Sequence, residues 1–210
     1  MHEPLTRAMR ELPLVAILRG LRPEEALAVG AALIAAGFRI LEVPLNSPEP
    51  FTSIRLLADA YGETALVGAG TVTDVASVGR LGEARGRLVV TPHTDPAVIG
   101  AAKAAGFACL PGVATPTEAF AALRAGADAL KLFPAETLGP AALKAWRAVL
   151  PGGTSVLPVG GVTPENMGSW MEAGAAGFGL GSALYRPGVT PANVAAAAAG
   201  FVTAWRRAPG

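Results

Sequence analysis

A glycine that closes a helical stretch, followed at once by a short apolar run, recurs along this chain. Such glycines stand at Gly37, Gly62, Gly86, Gly106, Gly126, Gly152 and Gly174, with gaps of 20 to 26 residues. Four share a local spelling, AAGF at 35–38 and 104–107 and AGA at 125–127 and 173–175. Glycine suits the left-handed residue that ends a helix. The apolar runs that follow are ILEVPL, ALVGAG, LVVTP, FACLPG, ALKLFP, SVLPVG and GFGLG; LVAIL at 14–18 precedes them and makes eight. Between the runs lie helical stretches such as PEEALAVGAALIAAG at 23–37. Eight strand–helix units of this length predict an α/β fold, a single (β/α)8 TIM barrel. The continuous apolar runs fit a parallel sheet covered on both faces. Periodicity alone leaves an open doubly wound sheet in play; the last two runs, below, break the tie. No linker or shift of composition divides the chain, so residues 1–210 are expected to form one domain, with 1–12 a lead-in and 190–210 a C-terminal helix.

Composition narrows the class of partner. Seventeen basic and sixteen acidic residues leave a net charge of +1 with no block of one sign, which argues against a nucleic-acid or membrane-surface partner. MHEPLTRAMRELP lacks the apolar centre of a signal peptide, and VAAAAAGFV is too short to span a bilayer. A cytoplasmic location is the expectation. The one cysteine, Cys109, excludes an intramolecular disulfide and reads as a small core residue.

Three ionisable residues interrupt the eight runs: Arg19 at the end of LVAILR, Glu42 in ILEVPL and Lys131 in ALKLFP. The chain has only three lysines, and the other two, Lys103 and Lys144, lie in helical stretches where an ammonium stays solvated. Strand side chains alternate faces, so Leu41, Val43 and Leu45 oppose Glu42, and Leu130 and Leu132 oppose Lys131. The all-aliphatic faces belong against the helices, which aims Glu42 and Lys131 into the barrel. Arg19 shares a face with Val15 and Ile17, and all three charges could meet near the C-terminal mouth. A buried Glu–Lys pair that only fills a barrel stabilises poorly, because desolvation can exceed the Coulomb gain. Function is the better reading.

Burial lets a lysine act as a nucleophile. Its pKa must fall from about 10.4 to near 7, roughly 4 kcal/mol of differential desolvation and charge interaction. A neutral amine attacks a ketone to form a Schiff base, and a buried glutamate of raised pKa shuttles the protons. Lys131 and Glu42 are therefore the candidate catalytic residues, for carbon–carbon chemistry beside a carbonyl. No cofactor and no metal is expected: His2 and His93 are the only histidines and show no ligand spacing. His93 reads as a loop residue.

After the seventh run comes VGGVTPEN, and the eighth leads into GLGSAL. In (β/α)8 barrels phosphate commonly binds the loops after strands seven and eight. Gly160, Gly161, Gly181 and Ser182 are the phosphate candidates, though each glycine could equally serve a tight turn. GAGTVTD at 68–74 lacks the third glycine of a dinucleotide loop, and Thr71 there reads instead as a polar contact at the mouth. Trp146, Trp170 and Trp205 fall on helical stretches and read as packing or interface residues.

Taken in order, LPLVAILRG, LEVPLNSP, VGAGTV, CLPGVATPTEA, ALKLFPAE, PVGGVTPEN and GLGSALY span nearly the whole chain. Their sequence resembles the 2-keto-3-deoxy-6-phosphogluconate and 6-phosphogalactonate aldolases, a family of class I, pyruvate-forming lyases on a (β/α)8 barrel. The resemblance implies Lys131 as Schiff-base lysine, Glu42 as general acid/base, Thr71 and Arg19 at the substrate carboxylate, and the glycines and Ser182 at the phosphate. It also implies a homotrimer. Gluconate-type members usually carry arginine four residues after the glutamate (LEVTLRT) and threonine before the paired glycines (PTGG). Here those positions hold Asn46 and Val159, while Arg19 stands where the gluconate type usually lacks arginine. All three choices resemble the phosphogalactonate branch. The implied reaction is cleavage of phosphorylated keto-deoxy-galactonate into pyruvate and D-glyceraldehyde 3-phosphate. A gluconate-specific or dual-epimer enzyme, another sugar-phosphate barrel such as an isomerase, and a non-catalytic sugar-phosphate binding barrel are the alternatives.

Overall fold

The computed structural model describes residues 2–207. Met1 of the lead-in and the last three residues of the expected 190–210 helix lie outside the described residues. The element order is α1 (Glu3–Glu11), β1 (Leu14–Ile17), α2 (Pro23–Ala35), β2 (Ile40–Pro44), α3 (Pro50–Tyr61), β3 (Leu66–Gly70), α4 (Val75–Glu83), β4 (Leu88–Val90), α5 (Pro96–Ala104), β5 (Ala108–Leu110), β6 (Gly112–Val113), α6 (Pro116–Arg124), β7 (Leu130–Leu132), α7 (Ala135–Arg147), β8 (Val156–Pro158), α8 (Met167–Glu172), β9 (Phe178–Leu180) and α9 (Pro191–Arg207).

Local chemistry fixes the helix ends. Proline opens α2, α3, α5, α6 and α9, where its missing N–H would have been unpaired anyway. Asp74, Asp95 and Thr115 cap α4, α5 and α6 by accepting backbone N–H bonds. At the other ends, the glycines of the shared AAGF and AGA spelling, Gly37, Gly106, Gly126 and Gly174, all take positive φ. Gly62 does not, and at 85–86 it is Arg85 rather than Gly86 that turns left-handed.

The strands pair in parallel throughout, in two sheets ordered β5-β4-β3-β2-β1-β9 and β6-β7-β8. The expected eight unbroken strands are thus nine segments, because the fifth run is interrupted at Pro111, which has no N–H to donate to a ladder. Its carbonyl still accepts from Lys131 N at 2.9 Å, and Cys109 O accepts from Asp128 N at 3.0 Å. A parallel bridge joins Val159 to Gly179 on the far side.

Two apolar clusters divide the faces. Leu41, Val43, Leu130 and Leu132 pack outward with helix residues such as Leu33, Ile54 and Leu57. Val15, Ile40, Leu66, Leu88, Ala108, Ala129 and Leu157 pack together on the opposite, inner face, one from each of seven strands or strand starts, and Leu5 and Ala8 of α1 close over them. Asp128 anchors that cover. Buried at the strand base, it accepts from His2 N at 2.8 Å and Cys109 N at 3.0 Å and pairs with Lys103 at 2.5 Å. The tryptophans do pack: Trp146 and Trp170 are buried, and Trp205 meets Phe178 edge-on at 6.2 Å.

Candidate active site

Ile40 and Ala129 belong to the inner cluster, so alternation places Glu42 and Lys131 on that same inner face, one step closer to the C-terminal ends of β2 and β7. Both are buried, at 1% and 6% exposure. The ion pairs among the described residues are Arg22–Glu24, Arg39–Glu11, Arg85–Asp59 and Lys103–Asp128, and Lys131–Glu42 is not one of them. Acid and amine share the inner face without a salt bridge. Glu42 Oε2 is buried without a hydrogen-bond partner. Lys131 Nζ lies 4.6 Å from the centroid of the Phe133 ring.

Burial dominates the electrostatics of both groups. It pushes the Glu42 carboxyl up to about 7, against the pull of Lys131 and then Arg19. It also lowers the Lys131 ammonium; Glu42 opposes this and Arg19 reinforces it. Near neutral pH this glutamate is present in both acid and base forms, which suits a group that must give and take protons.

Arg19 is not inside a strand, as the sequence suggested, but in the exposed turn two residues beyond β1. From there its guanidinium donates to Asn46 Oδ1 at 2.7 Å and reaches Thr71 Oγ1 at 3.5 Å. Asn46 follows β2 and Thr71 follows β3, so three adjacent loops bring these side chains together. Thr71 holds φ +55, a conformation that is costly for a β-branched residue and that clusters at ligand sites.

Val159, Gly160 and Gly161 follow β8, and Gly181 and Ser182 follow β9. Parallel strands place both loops at the same end as Arg19, Asn46 and Thr71. Around Gly181 a side chain would meet open space. Gly160 and Gly161 have positive φ, and a Cβ on Gly160 would fall 1.9 Å from Glu136 Oε2. Their glycine identity is therefore accounted for by backbone and by Glu136, independently of any phosphate.

Sequence reasoning missed Glu136 and Gly70, although ALKLFPAE ends on that very glutamate. A Cβ on Gly70 would lie 1.4 Å from Glu42 Oε2. His93 sits in an exposed loop. No group of three or more His, Cys, Asp or Glu among the described residues is placed to hold a metal ion.

Residues 5–198 match the family described as Aldolase: KDPG and KHG aldolase. The chain belongs to that family. It is 52% identical over 198 residues to the 2-dehydro-3-deoxy-6-phosphogalactonate aldolase of Escherichia coli K12, covering 94% of this chain and 97% of that one. Identity to the 2-dehydro-3-deoxy-phosphogluconate aldolase of Pseudomonas aeruginosa is 35% over 170 residues, 80% and 75% of the two chains. A solved structure described as native KDPGal superposes with TM-score 0.92 at 52% identity, covering 93% of this chain and 95% of that one. A member of this aldolase family is an enzyme, a carbon–carbon lyase.

Proposed function

We propose that the chain is a class I aldolase that cleaves 2-dehydro-3-deoxy-6-phosphogalactonate into pyruvate and D-glyceraldehyde 3-phosphate. The observation that carries the chemistry is Lys131, an amine buried on the inner face, shifted toward its neutral form and free of any ion pair with the glutamate opposite. Neutral Lys131 adds to the C2 ketone, and Glu42 supplies the proton that lets water leave the carbinolamine. The resulting iminium accepts the C3–C4 bonding electrons while Glu42 takes the C4 hydroxyl proton, and the aldehyde departs. The enamine then gains a proton at C3, and hydrolysis frees pyruvate and the lysine.

Support for the galactonate epimer comes from the mouth. Arg19 reaches Asn46, the position that carries arginine in the gluconate type, so the turn after β1 delivers the charge that β2 and its loop deliver there. Val159 removes a hydroxyl beside the paired glycines. Greater identity to the galactonate enzyme points the same way. Arg19 and Thr71 would bind the carboxylate, and Gly160, Gly161, Gly181 and Ser182 the phosphate.

The two sheets are read as one closed (β/α)8 barrel in a single domain. The Val159–Gly179 bridge supports closure on one side, and the Cys109 and Pro111 carbonyls bonded to Asp128 and Lys131 support it on the other. A homotrimer, carried by the family resemblance, would sediment at three times the 21.1 kDa chain mass. Cytoplasmic placement accords with the described residues, in which no helix is long and apolar enough to cross a membrane.

The deciding experiment is pyruvate release, coupled to lactate dehydrogenase, from both phosphorylated C4 epimers. Faster cleavage of the galactonate is expected. Release from neither, with no borohydride-trapped pyruvate on Lys131, would overturn the aldolase reading in favour of a binding protein.

A further inference from the structure

We infer that Gly70 is the positioning residue for the Glu42 carboxylate, a notch in β3 that holds the acid/base group in place by leaving out a side chain. The inference rests on the proposed role of Glu42.

Gly70 has no conformational reason to be glycine. It lies within β3, opposite Pro44 of β2 in the ladder, and accepts an ordinary bond from Leu45 N at 2.8 Å. Its φ is not in the left-handed region. Gly70 is the last residue of β3, and a glycine on a strand often marks a close approach by something else. What approaches is Glu42: a Cβ on Gly70 would lie 1.4 Å from Oε2, 2.3 Å from Cδ and 2.7 Å from Oε1. All three distances are below any tolerated contact, and although these atoms end the Glu42 side chain, that side chain is buried, so a Cβ there must displace the carboxyl itself. Nothing else near Gly70 comes as close.

The other glycine on this face of β3 has a different explanation. Gly68 stands level with Glu42 in the ladder, yet its Cβ would strike the backbone carbonyl of Leu88 at 2.0 Å. Gly68 serves the packing of β3 on β4, whereas Gly70 serves a side chain. Strand side chains lean along the strand, and Glu42 leans toward the mouth until its carboxyl lies over Gly70. There, Oε2 is buried and unpartnered. The notch thus substitutes for the hydrogen bonds that would usually fix a catalytic carboxylate, and it leaves the lone pairs free for the substrate.

The test is a double-substitution cycle of Gly70→Ala and Glu42→Asp, the aspartate being one methylene shorter. Gly79→Ala, at an exposed position on α4 where a Cβ meets nothing, is the control. Gly70→Ala should still trap pyruvate on Lys131 with borohydride, yet lose about a hundredfold in kcat, the scale of a misplaced acid/base group. Its kcat–pH limb should move down from about 7 as the carboxyl is pushed toward water. Glu42→Asp should lower kcat in the parent but raise it about tenfold in the Gly70→Ala background, a reversal of sign that reports steric coupling. Should Gly70→Ala fail to fold, the double substitution should recover soluble protein. The inference is overturned if Gly70→Ala keeps kcat and the pH limb within threefold of the parent. It is also overturned if the two substitutions combine additively, or if the unfolded single variant is not rescued by Glu42→Asp. Failure of the aldolase reading looks different: the parent itself would trap no pyruvate, while the cycle in melting temperature would still report the notch.

Discussion

Lys131 carries a cost that the rest of β7 does not share, because its pKa is depressed by burial and the native state must hold a disfavoured charge wherever the amine is protonated. Lys131→Met fits the apolar surroundings and removes that cost, so it should abolish pyruvate release while raising the melting temperature. Glu42 gives a pH signature of defined sign. Its carboxyl titrates near 7 when folded and near 4.5 when not, so the folded state binds the extra proton and stability falls as pH rises through that window. The loss is on the order of 3 kcal/mol. Glu42→Gln should flatten it in urea titrations at successive pH values, and should slow turnover severely while still permitting slow imine formation. Val159→Thr, nearly isosteric, should shift the ratio of kcat/KM between the C4 epimers about tenfold toward the gluconate. The burial of Glu42 and Lys131 on the inner face was legible in the sequence because a charge inside an apolar run is conspicuous. Gly70 was not, since a glycine among the glycines of VGAGTV gives no sign of what leans over it. The meeting of Arg19 with Asn46 was equally hidden, because it depends on where two loops end.

At the scale of elements, the repeat of glycine, apolar run and helix was readable because helix ends and parallel strands are locally encoded. The break in the fifth run was not anticipated, although Pro111 was in plain view. A proline at a run's edge ends a ladder, but whether its neighbours pair onward depends on the next strand. Asp128 also went unread, as the residue before ALKLFP. In the structure it ties the start of α1, the start of β5 and Lys103 to the base of β7. Asp128→Ala removes the ion-pair partner of Lys103, which keeps only the Phe107 carbonyl, and leaves the His2 and Cys109 backbone N–H groups without this acceptor. It should cost roughly 3 kcal/mol by urea denaturation. If the anchor contributes nothing, the midpoint will not move.

For the molecule as a whole, the inner face is layered: α1 with Leu5 and Ala8, then the apolar ring, then Glu42 and Lys131, then the loops with Arg19, Asn46, Thr71 and the glycines. The α/β class with its parallel strands followed from periodicity, but this vertical order did not, since it depends on register between strands far apart in sequence. It has a kinetic consequence. In the closed barrel proposed above, α1 stops one end, which makes the interior a corridor with a single door. On the proposed mechanism the triose phosphate departs first, before the three-carbon acid still bonded to Lys131 can follow. Pyruvate should then inhibit competitively against substrate, and glyceraldehyde 3-phosphate should give a mixed pattern, in steady-state product-inhibition plots. The reverse pattern would mean that the corridor has a second exit.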